Sequence, residues 1–338
     1  MPLFRWPPIL SEIRELRAEV QALRSELKAQ NKHLSQFGIN KLLAARNYVD
    51  QGTQHLLAKE YRKAAEAGHI FPLSEVGFSN YSQFDEDGVL HYIFSLIGTT
   101  NKTLIEMCAG VGSECNSANL LINNGWNGLL FDGDLKKVEA GKAFFKRNAN
   151  LITQTQIDYV PAWITKDNVN TLIEENFVRG EIDLFSLDLD GVDYWILEQL
   201  KAVSPRVLVV EANFSLGKDL SITVEYKDDF DAFHYAANKE DQSAGADNPQ
   251  IPAQLKKIPL YLGASVKALS KLCGDKGYRL VGATSNAGPN LVFMRNGVGE
   301  EFFPAMTVDE VFANVPAALQ RLNQNRWDMA SGLPWVEV

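Results

Sequence analysis

The chain has 338 residues, 46% of them hydrophobic and 22% charged, and a formal net charge of −9. Those values describe one large α/β domain with an appendage, exclude a disordered chain, and argue against nucleic acid as the main partner, since phosphate binding needs concentrated Lys and Arg. The three cysteines, Cys108, Cys115 and Cys273, form no CxxC pair; that excludes a disulfide framework or a structural zinc site and fits a reducing, cytoplasmic compartment.

No run of about 18 apolar residues is present, so no transmembrane segment is expected. The opening MPLFRWPPIL is too short and too proline-broken for a signal-peptide core. After Pro8, a seam of Ile9, Ile13, Leu16, Val20, Leu23, Leu27, Gln30, Leu34 and Phe37 advances in steps of three and four. A single isolated helix cannot bury such a stripe, so residues 1–38 read as a coiled coil that makes the protein a homo-oligomer. Gln30 would be a polar core layer that fixes register. The other reading packs the stripe back on the chain's own domain. Residues 39–79 follow as a helical linker, with Leu42, Leu43, Tyr48, Leu56, Leu57 and Tyr61 as anchors and a turn-rich end around Pro72 and Gly77.

From residue 80 to 298, apolar runs alternate with helical patterns. Strands are expected at 103–106, 128–132, 157–162, 182–188 and 206–211, with helices near 115–124, 134–147, 167–177 and 193–202. This alternation predicts a Rossmann-like, doubly wound parallel sheet. A helix near 263–276 then precedes strands 278–284 and 290–295, joined by Ser285-Asn286-Ala287-Gly288-Pro289. So short a connection makes only an antiparallel hairpin. Seven strands closed by a terminal hairpin are the S-adenosylmethionine (SAM) methyltransferase arrangement, whereas a NAD-binding sheet lacks the hairpin. Residues 299–338 read as a helical tail.

The first strand runs into Glu106, then Met107-Cys108-Ala109-Gly110-Val111-Gly112. Glycines let the backbone turn sharply, and ligands of such sheets bind beyond the strands' carboxyl ends. An acid there suits the ammonium of a methionine moiety and repels a pyrophosphate. Asp132-Gly133-Asp134 ends the second strand, where a carboxylate can accept hydrogen bonds from ribose hydroxyls. Asp132 is the choice for that role, with Asp134 as a helix cap. At the third strand's end, Ala162 and Trp163 either flank an adenine or belong to the core.

The fourth strand delivers Asp188 and Asp190 toward the same edge, and the fifth ends in Glu211-Ala212-Asn213. Carboxylates crowded in this way raise one another's pKa unless a cation neutralises them. One of them, Asp188 or Asp190, can serve as a general base for a hydroxyl; alternatively Asp188, Glu211 and Asn213 can hold Mg²⁺ through oxygen. Asp193 reads as a helix cap. His234, in the polar insertion 214–260, is a further candidate base or an ordinary surface histidine.

These stretches resemble the FkbM-like SAM-dependent methyltransferases, a bacterial group associated with polysaccharide and secondary-metabolite genes. The likeness runs through Ser82-Gln83-Phe84-Asp85-Glu86-Asp87-Gly88, Glu106 to Ser117, Gly125 to Leu129 and Asp132 to Asp134. It continues in Ser186 to Trp195, Pro205 to Val207, Glu211 to Asn213, Tyr261 to Ser265 and Lys276 to Tyr278, covering about residues 80–297 in order. The resemblance implies that Glu106, Gly110, Gly112 and Asp132 hold SAM and that Gln83 and the nearby acids, with Glu114 and Asn116, line its pocket. Cys108, Gly133, Ala162 and Trp163 complete the cofactor set. Two positions depart from the family: Cys108 stands where glycine is usual, and Val192 where Asn is usual. Cysteine keeps the turn if its φ is negative. The function implied is O-methylation of a hydroxyl on a saccharide, glycoconjugate or secondary metabolite. The alternative is a coiled-coil scaffold whose degenerate domain binds a ligand without turnover.

Overall fold

The computed structural model describes residues 48–148, 155–232, 259–284 and 289–338. The coiled-coil seam of residues 1–38, His234 and the hairpin turn at 285–288 lie outside them. Residues 49–338 form one compact unit.

The strands fall close to where the apolar runs place them. They are β1 (Thr103–Met107), β2 (Asn127–Asp132), β3 (Ile157–Pro161), β4 (Gly180–Leu187) and β5 (Val203–Glu211), followed by β7 (Tyr278–Ala283) and β8 (Asn290–Arg295). They join in one seven-stranded sheet of order β3-β2-β1-β4-β5-β8-β7, parallel from β3 through β5. β8 runs antiparallel to both β5 and β7. This strand order with its closing hairpin is the class I methyltransferase sheet.

Both faces of the sheet are covered, as a mostly parallel sheet requires. Strand alternation assigns each side chain to a face. Ile105, Met107, Leu129, Phe131, Phe185 and Leu208 enter one core; Leu104, Leu130, Leu184, Val207 and Val209 enter the other. On that second face, helix α1 (Gln51–Glu66) packs against α2 (Glu86–Ile97). The helices α3 (Ala118–Asn123), α4 (Leu135–Asn148), α5 (Val169–Glu175), α6 (Asp193–Gln199) and α7 (Val266–Asp275) are the crossovers that parallel pairing demands. α7 starts where Ser265 accepts the Ala268 N–H, an ordinary hydroxyl N-cap.

The C-terminal segment is not only helical. After α8 (Val308–Ala313) and α9 (Ala317–Ala330), the chain ends in β9 (Val336–Glu337). β9 pairs antiparallel with β6 (Ile222–Thr223), a short strand that follows β5. The segment is thereby fastened over the carboxyl end of β5. The N-terminal edge is closed by a buried ion pair, Arg206 to Asp183 at 2.7 Å. Asp183 also accepts the backbone N–H groups of Thr100, Asn101 and Lys102. No helix among the described residues is long and apolar enough to cross a membrane.

Candidate functional site

The turn after β1 is built around two buried carboxylates. Glu106 accepts the backbone N–H groups of Asn116 and Ser117, both at 2.8 Å, and the Cys115 thiol. Its side chain thus fastens the start of α3, where unpaired helix amides favour negative charge. Burial raises its pKa above the usual range, against the pull of those hydrogen bonds. Asp132 accepts the Gly110 N–H at 3.0 Å with one oxygen and the Asp134 N–H at 2.8 Å with the other. A single carboxylate therefore ties the ends of β1 and β2 together. Asp134 accepts the Lys136 N–H ahead of α4.

Gly110 and Gly112 take φ values of 60° and 82°, the left-handed region that glycine enters without cost. Cys108 sits there too, at φ 67°, so the negative φ at which cysteine would suit the turn is not met. A side chain in that region costs about 1–2 kcal/mol. Its thiol points toward Asp132, 3.8 Å away. Tyr159 steadies the same turn by donating to the Gly110 carbonyl. Asn116 is buried, and its amide donates to the Ser186 hydroxyl.

The rim of this turn is unusually apolar for a surface. Phe84, Val111, Leu135 and Trp163 are four of the seven large apolar side chains exposed among the described residues. Three of them, Val111, Leu135 and Trp163, follow the ends of the adjacent strands β1, β2 and β3. Trp163 lies over Gly133, where an added Cβ would meet its ring at 2.7 Å. Exposed apolar surface gathered at one sheet edge marks a ligand site. Exposed apolar surface of this kind suits an aromatic base, and the Asp132 carboxylate is of the type that accepts from ribose hydroxyls. The donor set and this cradle fit an adenosine.

The second cluster lies beyond β4 and β5. Leu187 pairs with Val210, so the next step of the register sets Asp188 beside Glu211. One carboxylate oxygen from each of Asp188, Asp190 and Glu211 lies within 4.8 Å of the others. Withdrawal from water and the charges of Asp190 and Asp193 push the Asp188 carboxyl well up. Burial, then Asp188, Asp190 and Asp193, do the same to Glu211. Glu211 Oε2 is buried and receives no hydrogen bond among the described residues. Two carboxylates side by side bond to each other only when one carries a proton, so the pair wants either a proton or a cation. An all-oxygen donor set with an orphaned carboxylate oxygen fits a hard divalent ion such as Mg²⁺.

Asp190 has φ 55° and is exposed at the open end of the cluster. Asp193 accepts the Leu189 and Gly191 N–H groups and so fixes the loop that aims Asp190. Asn213 is used differently from the ligand role considered for it. Its carbonyl accepts the Ser215 N–H and its amide donates to the Leu262 carbonyl. Both ends serve the turn at Phe214–Leu216, and Asp190 occupies the third place beside Asp188 and Glu211.

A cavity of about 880 Å³ opens from this cluster. Gln83, Phe84, Glu114, Asp190, Glu211 and Asn213 line one end, and the remainder is largely apolar, with Phe71, Phe302, Phe303, Met306 and Leu319 among its walls. Gln83 and Glu114 thus face the cavity, while their neighbours Glu86 and Asp87 do not: Glu86 accepts from Thr284 and Asn290 of the hairpin. Asp87 accepts the N–H groups of Asn80, Tyr81 and Ser82, and burial pushes its pKa up to about 6. The run 82–88 is therefore a clasp that carries Gln83 and Phe84 to the cavity mouth. Sequence reasoning missed the far wall, from α8, α9 and Arg326, because no local pattern ties residue 326 to residue 215.

No family model matches the chain, and no curated protein matches it. Solved structures match it only distantly. The N-terminal domain of EvdMO1 with SAH bound is 14% identical, with TM-score 0.38 over 70% of this chain and 95% of that one. Magnesium protoporphyrin IX methyltransferase (ChlM) from Synechocystis PCC 6803 with bound SAH is 12% identical, with TM-score 0.37 over 62% and 82%. The pyocyanin biosynthetic protein PhzM is 14% identical, with TM-score 0.34; the match covers 60% of this chain and 53% of PhzM. At such values the function rests on the site's own residues.

Proposed function

We propose that the chain is a SAM-dependent methyltransferase of the FkbM-like kind, which O-methylates a hydroxyl at the carboxylate cluster. The observation that carries this reading is the junction of two half-sites along one sheet edge. The glycine turn, Asp132 and the exposed Leu135 and Trp163 after β1 to β3 adjoin an acidic cluster and a cavity at β4 and β5. When bound, SAM supplies an electrophilic methyl group on a sulfonium.

Every other step belongs to the protein. Gly110, Gly112 and Asp132 shape the turn and the ribose position, and Trp163 and Leu135 hold the base. Gln83 and Glu114 line the same cavity as Asp190. Asp188, with its raised pKa, accepts the proton from the acceptor hydroxyl, and Glu211 shares it. Alternatively, Asp188, Asp190 and Glu211 would hold Mg²⁺, which would acidify a bound hydroxyl in place of the base. Alignment of hydroxyl and methyl supplies the remainder of the rate. Within the acceptor classes implied by the resemblance, the apolar cavity favours a secondary-metabolite-like compound over a bare saccharide, which would leave its hydroxyls unpaired on such walls.

Calorimetric titration with SAM tests the reading. Wild type binds, and Asp132→Ala weakens binding at least about tenfold, a cost of the size expected for one charge-assisted hydrogen bond. Undiminished affinity in the variant would remove Asp132 from the site. The second reading, a scaffold with a degenerate domain, is favoured by one observation, the strained φ of Cys108. Absence of binding at millimolar SAM would decide for it.

A further inference from the structure

The cavity has a second polar end that the reaction does not use. Arg326, on α9, is only 7% exposed and lines the cavity. Its Nε donates to the Ser215 hydroxyl at 3.1 Å and its Nη2 to the Pro259 carbonyl at 2.7 Å. Its Nη1 donates to no described group, and no carboxylate is among its partners. Burial alone lowers its pKa, and no acid holds it up. An arginine withdrawn from water with no counter-charge is costly to keep, because the guanidinium cannot shed its proton as other groups do. The ion pair of Arg206 with Asp183 shows how the same fold treats a buried arginine that serves only stability.

Two hydrogen bonds to neutral oxygens fix the plane of the Arg326 guanidinium and leave one nitrogen for a guest. Carboxylates are what such a planar fork recognises. Arg326 and the cluster's Asp190 and Glu211 line one cavity, yet no carboxylate acts on Arg326, so cation and acids stand apart within it, among apolar walls from Phe71, Phe303 and Leu319.

We propose that the cavity takes an apolar acceptor carrying an anionic oxygen group, a carboxylate by preference, with the anion on Arg326 and the hydroxyl at the acidic cluster. The arrangement makes entry one-way: the acids repel the anion from the reacting end, and Arg326 draws it to the other. The inference rests on the methyltransferase reading for the hydroxyl and on Arg326 alone for the anion.

Fluorescence displacement with dodecanoate, dodecanol and dodecylammonium as probes, on the full chain at neutral pH, tests the anion without needing the acceptor. Dodecanoate is expected to bind wild type on the order of tenfold more tightly than dodecanol, the value of one charged hydrogen bond, and dodecylammonium least. Arg326→Gln removes the preference for dodecanoate while dodecanol still binds, and Arg326→Lys restores part of it. Equal binding of dodecanoate and dodecanol by wild type, or binding of neither, overturns the proposal even if the variants fail to fold. So does a preference that survives in Arg326→Gln. SAM calorimetry separates the two readings. An anion preference without SAM binding sinks the methyltransferase assignment and leaves the anion site standing. SAM binding without the preference does the reverse.

Discussion

Asp183, midway along β4, and Asp188, the residue just past its carboxyl end, lie five residues apart, and the protein treats them in opposite ways. At the N-terminal edge, burial alone would raise the Asp183 pKa, but Arg206 and the amides of Thr100, Asn101 and Lys102 outweigh it and hold the carboxyl low. At the C-terminal edge, Asp188 meets Asp190, Asp193 and Glu211 and, among the described residues, pairs with no arginine, and its pKa rises. The first arrangement is what a fold needs; the second costs stability, and crowding of that kind marks a candidate functional site. Four changes break or sharpen that contrast.

The largest effect is expected from Asp183→Ala, which strands Arg206 in the interior. Removing one partner of a buried pair costs about 3–5 kcal/mol, measurable by urea unfolding; a loss below about 1 kcal/mol would mean the pair behaves as a surface one.

The pH dependence of stability comes next. An acid whose folded pKa is raised keeps its proton longer in the folded state than in the unfolded one. Its contribution is intact below the ordinary carboxylate value near 4 and is lost as pH climbs through the raised values, about 6 for Asp193. The unfolding free energy should therefore fall by about 1–3 kcal/mol over that interval, and Glu211→Gln should flatten the decline. An unchanged slope in the variant would show that the cluster does not titrate as a unit.

Third, millimolar Mg²⁺ should raise the melting temperature of wild type by about 2–4 °C at neutral pH and leave Glu211→Gln unmoved. If wild type shows no shift, the three carboxylates share a proton instead of a metal. The smallest change is Cys108→Gly, which relieves the left-handed φ at the expense of a looser unfolded chain. A gain of about 0.5–1 kcal/mol is expected, with SAM affinity kept; a loss would show that the thiol's contact with Asp132 outweighs the strain.

Much of the fold was legible because its signals are local. Apolar runs bounded by helical patterns placed each of the main strands, and a five-residue link forced the hairpin. The acids at the ends of β2, β4 and β5 could be placed by alternation along a strand. What escaped depends on contacts distant in sequence. That Glu106 is consumed by the amides of Asn116 and Ser117, or that Asn213 is spent on Ser215 and Leu262 while Asp190 takes its place, follows from loop conformation, which carries no period. The pairing of β9 with β6 escaped for another reason: two-residue strands are too short to show alternation. Arg326 gave no sign, since an arginine within a polar helix pattern reads as a solvated face until the partners packed over it are known.

The far wall of the cavity is drawn from α8 and α9, nearly two hundred positions downstream of the glycine turn and held in place by β9. A protein assembled in this way is modular with respect to change. Substitutions between 311 and 326 can reshape what the chamber admits while leaving untouched the loop that ties β1 to β2. Variation of the cavity wall and preservation of the glycine turn then fall to different stretches of the polypeptide, and mutational scanning of the two should give tolerance profiles of opposite character.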